Sequence, residues 1–299
     1  MNLIEYPSDE VLKAGYQQIE AEAIAVINEE GVGGNLLLKD FFRGNRWSIS
    51  TGGYVFNSPA GIFLTKAMEQ IRVANPSLQG VPSEFLHLTF TELVYNNQAY
   101  KDKGVPNYRK AIGVSPEDVM SYYNVLFNGF DRKFDPIRLC LYRLFPTLDA
   151  KLEGEKKRTG TLVAAFLTDG DTTVFQVKDE IVRTVQEAGI GFSTQYGTPA
   201  KVLLVTLGRF IDPPNPEVLL PLLTDLNKQI GSGYRTDIRD IKIISTSPLD
   251  YKSPRGHIEI WPPIALNEED QILANTKFLT PSKRIRYHQI QRMLMGTDL

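Results

Sequence analysis

Phe85-Leu86-His87-Leu88-Thr89-Phe90-Thr91 and Val202-Leu203-Leu204-Val205-Thr206-Leu207-Gly208-Arg209-Phe210 are the two stretches on which the fold turns. Both are aliphatic, aromatic and β-branched over strand length, and both read as strands. Side chains alternate along a strand, so the first sets Phe85, His87, Thr89 and Thr91 on one face, with Leu86, Leu88 and Phe90 in the core behind. In the second, Leu204 and Thr206 share a face, Leu203, Val205 and Leu207 share the other, and strict alternation puts Arg209 opposite Thr206. A histidine and a hydroxyl two residues apart look into one small volume. An imidazole exchanges a proton near neutral pH, and a threonine hydroxyl can hold a phosphoryl oxygen.

The surroundings of the two stretches repeat. Before the first come a short strand at Arg46 to Ser50, a turn at Gly52-Gly53, and a helix entered at Pro59 with apolar positions Ile62, Phe63, Ala67, Met68, Ile71 and Val73. Before the second come a strand at Thr161 to Leu167, a turn at Asp169-Gly170-Asp171, and a helix from Val174 to Ala188 closing on Gly189. After the first, Ser115-Pro116-Glu117-Asp118 starts a helix to about Phe130, and Ile137 to Phe145 is a strand. After the second, Glu217 to Ile230 is a helix, followed by strands at Ile241 to Ser245 and His257 to Trp261. Strand, helix, strand, helix, strand occurs twice. The expected fold is α+β: two duplicated lobes, each an antiparallel sheet with helices on its outside, around a central cleft. The expected organisation is a helical extension over 1–45, a first lobe over 46–150, a second over 151–266, and a helical tail over 267–299. Lys151 to Arg158 is a charged connector between the lobes.

His87-Leu88-Thr89-Phe90 resembles the first His-x-Thr-hydrophobic signature of the two-histidine (2H) phosphoesterases, which include the bacterial RNA 2′,3′-cyclic phosphodiesterases once described as 2′–5′ RNA ligases. Leu204-Val205-Thr206-Leu207-Gly208-Arg209 lies where the second signature is expected. The closing segment, ending Trp261-Pro262-Pro263-Ile264, is similar to the final hairpin of that family. The resemblance covers roughly Arg46 to Ile264. It implies that two histidines flank a phosphate as general base and general acid, while the paired hydroxyls orient its oxygens. Here Leu204 stands in the second histidine's place, and leucine neither transfers a proton nor donates a hydrogen bond. What remains is His87, Thr89 and Thr206. The loss of a positioned acid or base removes about 10²–10⁴-fold in rate.

The chain has 3 histidines, so only His257 and His288 are left to substitute. His257 shares a strand face with Glu259 and Trp261 and is the candidate that borders the cleft; His288 reads as a solvated helix residue. The expected catalytic set is therefore His87, Thr89, Thr206 and His257, with no cofactor and no metal. Trp47, Tyr54, Phe56 and Trp261 are candidates to stack a base at the cleft, though packing roles fit them as well. Arg43-Gly44-Asn45-Arg46 is a polar turn.

Bulk properties narrow the partners. Lys plus Arg number 33 against 35 Asp plus Glu, so no global basic field exists and an extended nucleic-acid surface is not expected. The single cysteine, Cys140, excludes an internal disulfide and reads as a buried thiol. No secretory signal or membrane-spanning run stands out, so a cytoplasmic protein away from membranes is expected. The resemblance implies a phosphodiesterase acting on a cyclic or linear phosphodiester of RNA ends or small nucleotides, with impaired or altered activity. The alternatives are a non-catalytic nucleotide- or phosphate-binding protein, and a scaffold that uses Lys283, Arg284, Arg286 and Arg292.

Overall fold

The computed structural model describes residues 6–29, 31, 48–95, 116–130, 133–148, 160–189, 202–231, 233–246, 257–259 and 264–266. The polar turn at 43–46, Trp47, Trp261, the 151–158 connector and the tail over 267–299 lie outside them, as does His288. In chain order the elements are α1 (Asp9–Glu29), β1 (Ser48–Tyr54), α2 (Pro59–Ala74), β2 (Leu78–Gly80), a 3₁₀ turn (Ser83–Phe85), β3 (His87–Tyr95), α3 (Pro116–Gly129), β4 (Ile137–Leu148), β5 (Gly160–Leu167), α4 (Thr173–Glu187), β6 (Leu204–Phe210), α5 (Pro216–Gln229), β7 (Arg235–Ile238), β8 (Asp240–Thr246), β9 (His257–Glu259) and β10 (Ile264–Ala265).

Local chemistry sets the helix ends. The Ser58 hydroxyl oxygen accepts from the Gly61 amide at 3.0 Å, and Pro59 fills the first turn, where its missing N–H costs nothing. Asn215 caps α5 in the same way, accepting from the Glu217 amide at 3.0 Å. Gly189, at φ +69°, takes the left-handed conformation that stops α4. No helix among the described residues is long and apolar enough to cross a membrane.

Every strand pairing among the described residues is antiparallel, and the sheet runs β10-β8-β1-β3-β6-β5-β4-β7, with β2 on β6 and β9 on β8. The fold is α+β, with an antiparallel sheet that curls. The order is symmetric about the β3–β6 junction: β8-β1-β3 on one side mirrors β4-β5-β6 on the other. The last strand of each sequence unit therefore lies in the other half of the sheet, β4 beside β5 and β8 beside β1. The core is filled by fully buried Leu88, Val205, Phe145, Phe166 and Phe210, among others.

Gly52-Gly53 is not a turn but the end of β1. The glycines are there for space. A Cβ on Gly52 would stand 2.6 Å from the Leu88 carbonyl and 3.2 Å from the His87 ring. One on Gly53 would stand 2.2 Å from Ile238 Cγ2 of β7. The sheet thus curls until its third strand touches its last. In an ordinary strand, glycine to alanine stabilises by about 0.4–1 kcal/mol through the unfolded chain. At Gly53 the added methyl overpacks, and Gly53→Ala is expected to destabilise by about 1–3 kcal/mol. A chemical-denaturation midpoint at or above wild type would refute this close approach.

Candidate active site

The two motif strands meet at a single antiparallel pair, Leu88 opposite Val205, both fully buried. Stepping one residue each way sets His87 beside Thr206 and Thr89 beside Leu204 on the other face, where all four side chains are half-buried. Direct cross-strand neighbours stand about 4.5–5.5 Å apart at Cβ, and diagonal ones about 7–8 Å. Leu204 is the diagonal neighbour of His87. It packs against the apolar core.

Both motif strands carry a bulge at the same place. In the β1–β3 pair, Gly52 faces Thr89, Thr51 faces Thr91 and Ser50 faces Glu92, leaving Phe90 as the extra residue. In the β5–β6 pair, Val163 faces Thr206, Leu162 faces Gly208 and Thr161 faces Arg209, leaving Leu207 extra. A bulge shifts the alternation by one. Thr91, expected beside His87 and Thr89, is turned to the opposite face, and its Oγ1 is buried without a partner among the described residues. Glu92 takes its place. Likewise Arg209, expected opposite Thr206, shares Thr206's face. Glu92 and Arg209 are therefore equivalent positions, each five residues after the first position of its motif. Plain alternation missed both.

His87 is oriented by its own strand. Nδ1 donates to the Phe85 carbonyl at 2.8 Å; a carbonyl can only accept, so in the neutral ring the lone pair lies on Nε2. Burial pushes the imidazole pKa below its ordinary value, and the bond to Phe85 partly offsets this. Tyr54, opposite His87 on β1, meets the ring edge-on at 6.3 Å, and Lys242 lies 5.8 Å over the Tyr54 ring while pairing with Asp240 at 3.3 Å. Lys242 faces Gly52, which in turn faces Thr89, so a cation stands on the same face one strand beyond the glycine. Burial raises the Glu92 carboxyl to about 7, against the pull of Arg209's charge. Its Oε2 is buried and has no hydrogen-bond partner among the described residues.

Several solved structures are similar to this chain. TT0787 of Thermus thermophilus is 16% identical, with 74% of this chain and 99% of that one covered and a TM-score of 0.44. LigT of E. coli, crystallised with 3′-AMP, is 13% identical over 75% of this chain and 99% of its own, at a TM-score of 0.40. A third, described as a phosphoesterase, is 12% identical over 74% and 98%, at 0.38. No family model matches the chain, and no curated protein does.

The register does not bring His257 to His87. His257 pairs with Thr246, which pairs with Ser48, at the far end of β1 from Tyr54 and His87. That offset is roughly 20 Å along the strand at about 3.3 Å per residue. On the other flank, α1 stands over the face at β4: Glu20 pairs with Arg143 at 2.7 Å, and Tyr16 lies 6.0 Å from Phe145. Arg143 faces Ala165, which faces Leu204, so the N-terminal helix walls this side of the site. A separate cavity of about 520 Å³ is lined by Ser58, Arg138, Cys140, Asp169, Arg235 and Asp237, with no motif residue in it. Its charges are largely matched, with Arg235 on Asp169 at 2.8 Å and Arg138 opposite Asp237. Cys140 is half-buried, and burial raises its thiol pKa.

Proposed function

We propose that this face binds and hydrolyses a phosphodiester, cyclic or linear, of RNA ends or small nucleotides, in the manner of the two-histidine phosphoesterases. The observation that carries the reading is the register at the β3–β6 junction, which puts an imidazole and two hydroxyls on neighbouring positions of one face. The Thr89 and Thr206 hydroxyls donate to the non-bridging oxygens. Arg209, brought to the same face by its bulge, supplies positive charge for the phosphate. His87, kept neutral by its lowered pKa and presenting Nε2, takes a proton from the attacking water. The test is hydrolysis of nucleoside 2′,3′-cyclic phosphates by the purified chain, followed as release of the 2′- or 3′-monophosphate. Absence of turnover would remove the catalytic reading.

Leu204 motivates a second reading, a protein that holds a nucleotide without cleaving it. The two are separated by Leu204→His, which restores an imidazole diagonal to His87. For an enzyme, wild type turns over without the substitution, and the added imidazole changes kcat by less than the roughly 10²–10⁴-fold of a newly supplied acid or base. A chain that binds nucleotides and hydrolyses them only after the substitution would be a binding protein built on a formerly catalytic face.

A further inference from the structure

Leu204 leaves the proposed reaction without a group to protonate its leaving oxygen, and the β3 bulge brings a carboxyl to this face. Without the extra residue Phe90, Glu92 would fall with Leu88 in the core and Thr91 would face the cleft. With it, Glu92 faces Ser50, two positions along β1 from the Gly52 that faces Thr89. Its row therefore lies about 7 Å beyond the Thr89–Leu204 row. On this face that row is the next one beyond the row holding position 204.

We infer that Glu92 is the second proton-transfer group of this site, its carboxyl donating to the departing alkoxide oxygen in place of the missing imidazole. The inference rests on the phosphodiesterase reading and names a residue for it. The Oε2 atom is buried and has no bond among the described residues that would hold it elsewhere. Held near 7 by burial, the carboxyl is substantially protonated at neutral pH, so it can face a phosphate without repelling it. Arg209, at the equivalent position of the other motif, stands on the same face beyond Thr206, at the opposite end from Glu92.

The step balances. The water oxygen attacks phosphorus as Nε2 of His87 takes its proton; the bond from phosphorus to the ribose 2′ or 3′ oxygen breaks, and Glu92 gives that oxygen its proton. The products are a phosphomonoester, an imidazolium and a carboxylate, and proton return through solvent resets the pair.

The experiment compares two leaving groups. A ribose alkoxide needs protonation, whereas p-nitrophenolate leaves without it. Glu92→Gln keeps shape and removes the acid. Its kcat on a nucleoside 2′,3′-cyclic phosphate is expected to fall about 10²–10⁴-fold, against less than about tenfold on bis-p-nitrophenyl phosphate. Equal losses on both substrates, or retained activity on the cyclic phosphate, would overturn the role of Glu92 while leaving the phosphodiesterase reading in place. A wild type inactive on both would overturn that reading and this one together. A second measurement needs no variant. In wild type, kcat/KM on the cyclic phosphate should decline above about pH 7 as the acid is lost, and the p-nitrophenyl ester should lack that decline. The charged and titratable groups on this face are His87 from β3 itself, Tyr54 from β1, Arg209 from β6, Lys242 with Asp240 from β8, and Arg143 of β4 with Glu20 of α1; Ser50 and Gly52 of β1 do not titrate. A decline with both substrates would assign it to one of those groups and remove Glu92.

Discussion

Replacing His87 with alanine is expected to cut hydrolysis of a nucleoside 2′,3′-cyclic phosphate by about 10²–10⁴-fold, the ordinary contribution of a positioned base. The fold should survive. His87 is half-buried, and its contacts include the bond to the Phe85 carbonyl and an edge contact with Tyr54. Loss of one such hydrogen bond costs about 0.5–1.5 kcal/mol. Stability measured beside activity separates the two effects: a small shift in melting with a large drop in kcat assigns His87 to the chemistry. The wild-type pH profile carries the same signature. A base must be neutral to act, and burial lowers this imidazole's pKa, so activity should persist below pH 6.5 before falling on the acid side. Undiminished turnover in His87→Ala would remove the residue from the mechanism.

The elements were legible where a stretch had both periodicity and stop signals. Pro59 and Gly189 mark helix ends in the sequence, and each sits at one in the structure. The His87 and Leu204 strands were legible as a pair because order and spacing repeat around them. Their contents beyond the first few residues were not. Alternation is a local rule, and one inserted residue reverses it until the next irregularity, which on β3 comes at Leu93. Phe90 and Leu207 have no sequence mark as bulge residues, so alternation alone puts Thr91 and Arg209 on the wrong faces and leaves Glu92 in the core. Gly52-Gly53 reads as a turn for a related reason. Only the neighbouring strands show that the glycines clear space for the Leu88 carbonyl, the His87 ring and Ile238. The exchange of β4 and β8 between the halves of the sheet is likewise a matter of pairing, which residue patterns within each unit do not encode.

Lys178→Met is expected to stabilise the protein at neutral pH by about 1–4 kcal/mol, the range found when buried ionic groups give way to apolar ones of similar volume. Lys178 lies on α4 and is fully buried; its Nζ donates to the Val202 carbonyl at 3.2 Å and stands 5.9 Å over the Phe175 ring. Burial lowers its pKa from 10.5 to about 7, with the neighbouring Asp179 charge acting the other way. The sign follows from linkage. Between pH 7 and 10.5 the unfolded chain holds a proton at this residue that the folded chain has largely released, so stability rises with pH across that window. At and below neutral pH the destabilisation is complete, on the order of several kcal/mol before the bond to Val202 is counted. Methionine removes the charge and keeps most of the volume. The gain should therefore be largest near pH 7 and shrink toward pH 10, which denaturation at the two pH values would read directly. A variant less stable than wild type at pH 7 would mean that the ammonium's bonds outweigh its burial. Val202 lies two residues ahead of Leu204, so the bond from Lys178 fixes the chain just where the second motif strand begins. If the buried lysine is kept for that anchoring, the stabilised variant should hydrolyse more slowly than wild type.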